Sequence, residues 1–236
     1  MSSIPQSFLF RLRFPCRSLP SSFVSSFPTP ETLDSSYSAP FWSQASRPNG
    51  FASQALVQTL RNAQNQTRFD FRIGWAQEGL LFTVVVANKR EQRYWSHSSL
   101  KEADSVLLCL DTRDLKDLQH GSRFCHKLLL YPFVGEAANV AKPLVQWQLL
   151  DRAKASPEEV NVASFRLASE RRNDGYAFSA FIPGSTLTGY DPKVIDRIGF
   201  HFIVRDSEYG EFALQHTEPF PVENNPSLWA TLVFKE

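Results

Sequence analysis

Histidine, cysteine and carboxylate side chains could bind a metal or move a proton, and here their spacing restricts both. His120, Cys125 and His126 fall close together, with Cys109 a short way upstream. Zinc sites use fixed spacings such as C-x-x-C or H-x-x-x-H, and neither is formed. On a strand, Cys125 and His126 point to opposite faces, which works against sharing one ion. Met1 is the lone methionine, so haem would need a pair such as His126 with His201 or His216. Asp111-Thr112-Arg113-Asp114 offers hard oxygen ligands. Its carboxylates, Asp111 and Asp114, could hold a structural calcium ion. The other reading is an Asp-rich turn in which Arg113 is paired locally. Gly184-Ser185-Thr186-Leu187-Thr188-Gly189 has the glycine spacing of a phosphate loop but lacks the lysine and the following helix, and reads as a turn. No G-x-S-x-G, H-E-x-x-H or G-x-G-x-x-G occurs. Glu158 and Glu159, after Ser156-Pro157, read as a helix start rather than an acid–base pair. Nothing in these residues points to an enzyme.

The elements that must position these groups are strands. Phe8, Phe10, Leu12 and Phe14 alternate with Leu9, Arg11 and Arg13, which predicts a half-buried strand ended by Pro15. From 16 to 48 the chain is rich in Ser and Pro yet carries Phe23, Phe27, Tyr37, Phe41 and Trp42. That composition predicts an irregular segment lying across the body of the protein. A short helix is expected within 51–62. Phe69, Phe71, Ile73 and Trp75 then alternate with polar or small residues. Gln77-Glu78-Gly79 turns the chain into the apolar run Leu80 to Ala87, which makes a hairpin. Ser105 to Leu110 is continuously apolar, as expected of a strand covered on both faces. Further strands are expected at 123–131, 144–150, 162–168, 176–182, 197–205, 211–216 and 228–234. Short strands at this spacing predict an all-β, antiparallel sandwich or jelly roll, a single domain over 1–236.

Composition narrows the partners. The 25 basic and 24 acidic side chains give a net charge of +1, without the concentrated positive field that a phosphate backbone needs. No window of 18 uncharged apolar residues exists, so no membrane-spanning helix is expected. Arg11 and Arg13 interrupt the apolar N-terminal stretch, unlike a signal peptide, and a cytoplasmic location is the expectation. Three cysteines suit free thiols in a reducing compartment, with a Cys109–Cys125 bridge left open. Trp42, Trp95 and Trp147 fall off the obvious alternating faces, as a stacking platform or as covers over the sandwich ends.

The order of motifs is more specific. Phe71 to Ala87 (F-R-I-G-W-A-Q-E-G-L-L-F-T-V-V-V-A), Asp104 to Asp111 (D-S-V-L-L-C-L-D), Tyr176 to Pro183 (Y-A-F-S-A-F-I-P), Ile198 to Asp206 (I-G-F-H-F-I-V-R-D) and Asn225 to Trp229 (N-P-S-L-W) stand in sequence. Over residues 69–236 this series resembles the family 9 carbohydrate-binding modules, within a wider DOMON-like group of β-sandwiches. The resemblance implies a non-catalytic sandwich that stacks a terminal sugar between two Trp side chains and fixes its hydroxyls with polar groups. It also implies a structural calcium in some members, and no other cofactor. Lys101 stands where the family has its first Trp, and Leu107 where it has a Glu. The second Trp falls on or near His216. The ligand-binding residues expected are therefore Trp95, in the loop Tyr94 to His97, with Arg113, Arg123 and His216 as polar contacts. The alternative is a protein-interaction or structural sandwich that has lost the sugar site.

Overall fold

Alternating apolar side chains from Phe69 onward form strands that pair into one twisted sheet, folded over a shared interior. The computed structural model describes residues 13–19, 43–44, 69–90, 97–135, 141–158, 160–214 and 222–235, with backbone alone at 43–44 and 97–99. In chain order the strands are β1 (Arg13–Ser18), β2 (Ser43–Gln44), β3 (Phe69–Ala76), β4 (Gly79–Val86), β5 (Ser105–Asp111), β6 (Cys125–Val134), β7 (Lys142–Gln148), β8 (Arg166–Arg172), β9 (Gly175–Pro183), β10 (Arg197–Asp206), β11 (Gly210–Ala213) and β12 (Ala230–Lys235). Helical geometry among the described residues is confined to short 3-10 segments such as His97–Glu102.

Across the sheet the order is β7-β6-β5-β10-β12-β1-β3-β4-β9-β8, and β11 and β2 continue beside the second half of β10. The two ends of that order, β7 and β8, lie against each other. The sheet therefore nearly closes, and its two halves form the layers of a sandwich. Phe rings fill the interior: Phe71 stacks on Phe202 with centroids 3.9 Å apart, and Phe69 meets Phe212 at 3.8 Å. Such pairs add about 0.5–1.5 kcal/mol each beyond the area they bury. Gly175 opens β9 at φ +158°, where a Cβ would stand 1.9 Å from the Val86 carbonyl oxygen. Only glycine fits that approach.

Several expectations are corrected. Of the strand expected at 8–14, positions 8–12 lie outside the described residues; from Arg13 the strand runs on to Ser18, and Pro15 sits inside it, opposite Val233, rather than ending it. It is also the exception to the antiparallel rule, running parallel to both β12 and β3. Alternation fixes which side chains point inward, here Phe14 and Cys16, but not the direction of the neighbouring strand. Cys16–Ser18 and Ser43–Gln44, expected to be irregular, are strand. The helix start at Ser156-Pro157 leads to no α-helix among the described residues; a single 3-10 turn at Val162–Ser164 precedes β8. The strand expected at 162–168 starts later, at Arg166. All three cysteines are free and buried, so the Cys109–Cys125 bridge is not formed. The helix expected within 51–62 lies outside the described residues.

Candidate ligand-binding face

The run Ser105 to Leu110 is apolar throughout because β5 is covered twice. Val106, Leu108 and Leu110 face the sandwich interior. Leu107 and Cys109 face outward into a second cluster with Cys125, Leu150, Ile203, Ala213, Val222, Leu228 and Trp229. On this outer face, register places one row across five strands: Ala213, Ile203, Leu107, Leu129 and Gln146. A neighbouring row carries His201, Cys109, Lys127 and Gln148. Residues 222–229 cap the lower part of the face, and Leu100 and Ala103 pack on Tyr131 and Val134 at its upper part.

Between these covers stands a charged network. Arg205 Nε donates to Glu211 Oε1 at 2.6 Å, and Arg205 Nη2 donates to Glu223 Oε1 at 2.7 Å. Glu223 also meets the Lys127 ammonium at 3.5 Å, and Lys127 donates to Asn224 Oδ1 at 3.3 Å. Burial alone would lower the Arg205 guanidinium, but the hydrogen bonds and charges of Glu211 and Glu223 hold it above the usual arginine range. About a third of the Arg205 side chain and two-fifths of the Glu211 side chain remain exposed. The arrangement offers fixed donors and acceptors beside partly buried Leu129, a mixed polar and apolar surface.

One end of the face is locked by a buried ion cluster. The Lys89 ammonium donates to Asp104 Oδ2 at 2.6 Å and to Asp206 Oδ2 at 2.7 Å. Ser207 N donates to Asp104, and the Glu208 and Tyr209 amides both donate to Asp206. Burial would lower the Lys89 ammonium, and its two carboxylates outweigh that and raise it. Burial, then the Asp104 charge, push the Asp206 carboxyl up. These are the aspartates that open D-S-V-L and close I-G-F-H-F-I-V-R-D. Their motif function is to anchor the strand ends.

Arg113 and Arg123 are brought together, but elsewhere. Both guanidiniums lie 4.8 Å from the Phe124 ring centroid. They sit beyond Asp111, which pairs with Gly199, whereas Arg205 pairs with Ser105 at the opposite end of β5. At about 3.4 Å per residue the separation is roughly 20 Å. Trp95 and His216 lie outside the described residues. In sequence they precede Leu100 and Val222, both packed on the Arg205 face. Trp147 points inward against the main core, and Trp75 is half-buried, donating from Nε1 to the Lys235 carbonyl at 3.0 Å.

Asp111 accepts from the Arg113 and Leu115 amides at 3.0 and 2.8 Å. Asp114 pairs with Lys116 at 2.5 Å and accepts from Thr231 Oγ1 at 2.8 Å. The Asp111 oxygens are thus engaged by the turn, and those of Asp114 by Lys116 and Thr231. Among the described residues no cluster of three His, Cys, Asp or Glu side chains is placed to hold a metal. His126 pairs with inward Leu110 and His201 with outward Cys109, so the two imidazoles lie on opposite faces and cannot share a haem.

Sequence reading missed Lys89, Lys127, Arg205, Glu211 and Glu223. The usable signal was register: once β10 is aligned on β5, Arg205 falls on the same face as Leu107. Glu223 gave no such signal, since it comes from a 3-10 turn between strands.

No protein-family model matches the chain, and no curated relative does. Solved structures similar in fold include two carbohydrate-binding modules. One is a family 9 carbohydrate-binding module from Caldicellulosiruptor kristjanssonii in complex with cellotriose, with a TM-score of 0.57, 16% identity, and coverage of 94% of this chain and 93% of that one. The other is such a module from the same organism in complex with glucose, with a TM-score of 0.56, 16% identity, and coverage of 94% and 95%. The chain therefore has the β-sandwich fold seen in family 9 carbohydrate-binding modules.

Proposed function

We propose that this chain is a non-catalytic module that binds the terminal unit of a carbohydrate on the outer face of β5, β6, β10 and β11. Arg205, Glu211 and Glu223 supply charged donors and acceptors for ring hydroxyls, with Lys127 and Gln146 behind them. Charge-assisted hydrogen bonds of this kind are strong and directional. Leu129 offers an apolar patch to the C–H face of a pyranose, and Trp95 supplies the aromatic plane, with His216 as a further polar contact. The supporting observation is the Arg205 guanidinium, held between two carboxylates on a partly open face, in a fold whose similar solved structures contain glucose and cellotriose. Calorimetry with glucose, cellobiose and cellotriose tests it. Wild-type protein should give saturable binding in the millimolar range or tighter, and R205A should bind at least ten-fold more weakly while still melting cooperatively. A wild-type protein that takes up none of these sugars ends the proposal.

A second reading is a sandwich that has kept the fold and lost the sugar site. It is favoured by Leu107, which stands at the family Glu position yet is 1% exposed within the apolar cluster capped by Val222, Leu228 and Trp229. That reading predicts no sugar heat, together with self-association in light scattering or capture of a defined protein partner. Sugar binding by a strict monomer counts against it.

A further inference from the structure

β1 differs from the other strands in how it is held. It enters between β12 and β3, parallel to both, and parallel pairing is slightly weaker per residue than antiparallel. Its register with β12 covers Arg13 to Arg17, but with β3 only Arg17 and Ser18. Pro15 stands in the middle of it without an N–H to give to a ladder, although prolines in sheets are normally confined to edges, strand starts or bulges. Among the described residues Phe14 and Cys16 carry it into the core, and just past its end Leu19 N donates to the Trp75 carbonyl at 2.7 Å. The strands on either side also touch each other directly at one end. Trp75 of β3 stacks on Phe234 of β12 at 5.0 Å and donates from Nε1 to the Lys235 carbonyl.

We infer that the gap between β3 and β12 is an acceptor site for an extended strand, that β1 is its occupant in cis, and that the same segment of a second copy can replace it. The site takes a strand parallel to β12, with a large apolar side chain at the position of Phe14 and a small one at the position of Cys16. It tolerates a missing N–H between them. Main-chain ladder bonds supply affinity and the two inward side chains supply selectivity, as in other strand-addition sites. β1 is joined to β3 through residues 19–68, so its effective concentration at the gap is on the order of a millimolar or below. Exchange in trans therefore belongs to concentrated protein or to added peptide.

The three buried cysteines make the test direct. Cys16 is on β1, while Cys109 lies in the middle of β5. Full-length protein is exposed to a thiol reagent and modification at each cysteine is followed by peptide mass spectrometry. Cys16 should react at least ten-fold faster than Cys109 in native buffer. A synthetic peptide of residues 11–20 carrying C16S, added up to millimolar concentration, should raise the Cys16 rate saturably and leave Cys109 unchanged. The same peptide carrying F14D as well should do nothing. Cys16 and Cys109 reacting together, or a Cys16 rate indifferent to the peptide, would overturn the inference.

Discussion

Lys89 and Asp206 stand 117 positions apart in the chain and 2.7 Å apart in the fold. The same ammonium reaches Asp104 at 2.6 Å. One buried cation thus ties the entry of β5 to the exit of β10, on either side of the segment that delivers Arg205 to the outer face. Removing one partner of a buried ion cluster costs about 3–5 kcal/mol, because the remaining charges are left without compensation. K89M should lose stability of that order in urea denaturation. K89M/D206N should recover part of the loss, since one orphaned carboxylate is then neutral. A K89M protein as stable as wild type would show that the cluster is passive.

Two buried histidines should make the fold sensitive to acid. Burial pushes the His201 imidazole down to about 3 and the His126 imidazole down to about 4. Both are lowered, so the folded state keeps them neutral while the unfolded chain takes up protons below about pH 6.5. Their stabilising effect is complete above that pH and is lost as pH falls from 6.5 toward 4 and then 3. Each histidine contributes a slope of up to about 1.4 kcal/mol per pH unit. Urea midpoints between pH 7 and pH 4.5 should fall steeply, and H201L should flatten the curve by about one proton whatever it does to stability at pH 7. An H201L profile parallel to wild type would contradict this.

Asp111 and Asp114 are placed as turn-forming groups. Replacing Asp111 by alanine removes acceptors for two backbone amides, a loss of about 1–3 kcal/mol. Addition of calcium or of a chelator should leave the melting temperature of wild-type protein unchanged to within about a degree, because the carboxylate oxygens already have partners. A calcium-dependent rise in melting temperature that D111A abolishes would assign these oxygens to an ion.

Much of this was legible in residue order, and the reasons for the rest are specific. The alternation at Phe69, Phe71 and Ile73 located β3, and the unbroken apolar run at Ser105 to Leu110 announced a strand covered on both sides, as β5 is. β1 runs past its expected end because a proline within a short alternating run reads as a stop, and only the positions of β12 and β3 show where an N–H can be spared. Arg113 and Arg123, expected as polar contacts, flank the Phe124 ring beside the β5–β6 turn. Sequence does not tell which end of a sandwich a turn occupies, and theirs is the end opposite Arg205. The Lys89 cluster is not legible in residue order because its three members are scattered, although both aspartates lie at the ends of motifs.

Backbone amide shifts during titration with cellotriose test most directly whether the Arg205 face carries ligand. The account predicts saturable shifts centred on Arg205, Glu211, Leu129 and Gln146, absent in R205A. Shifts centred instead on Arg113, Arg123 and Phe124, or none at any sugar concentration, would contradict it.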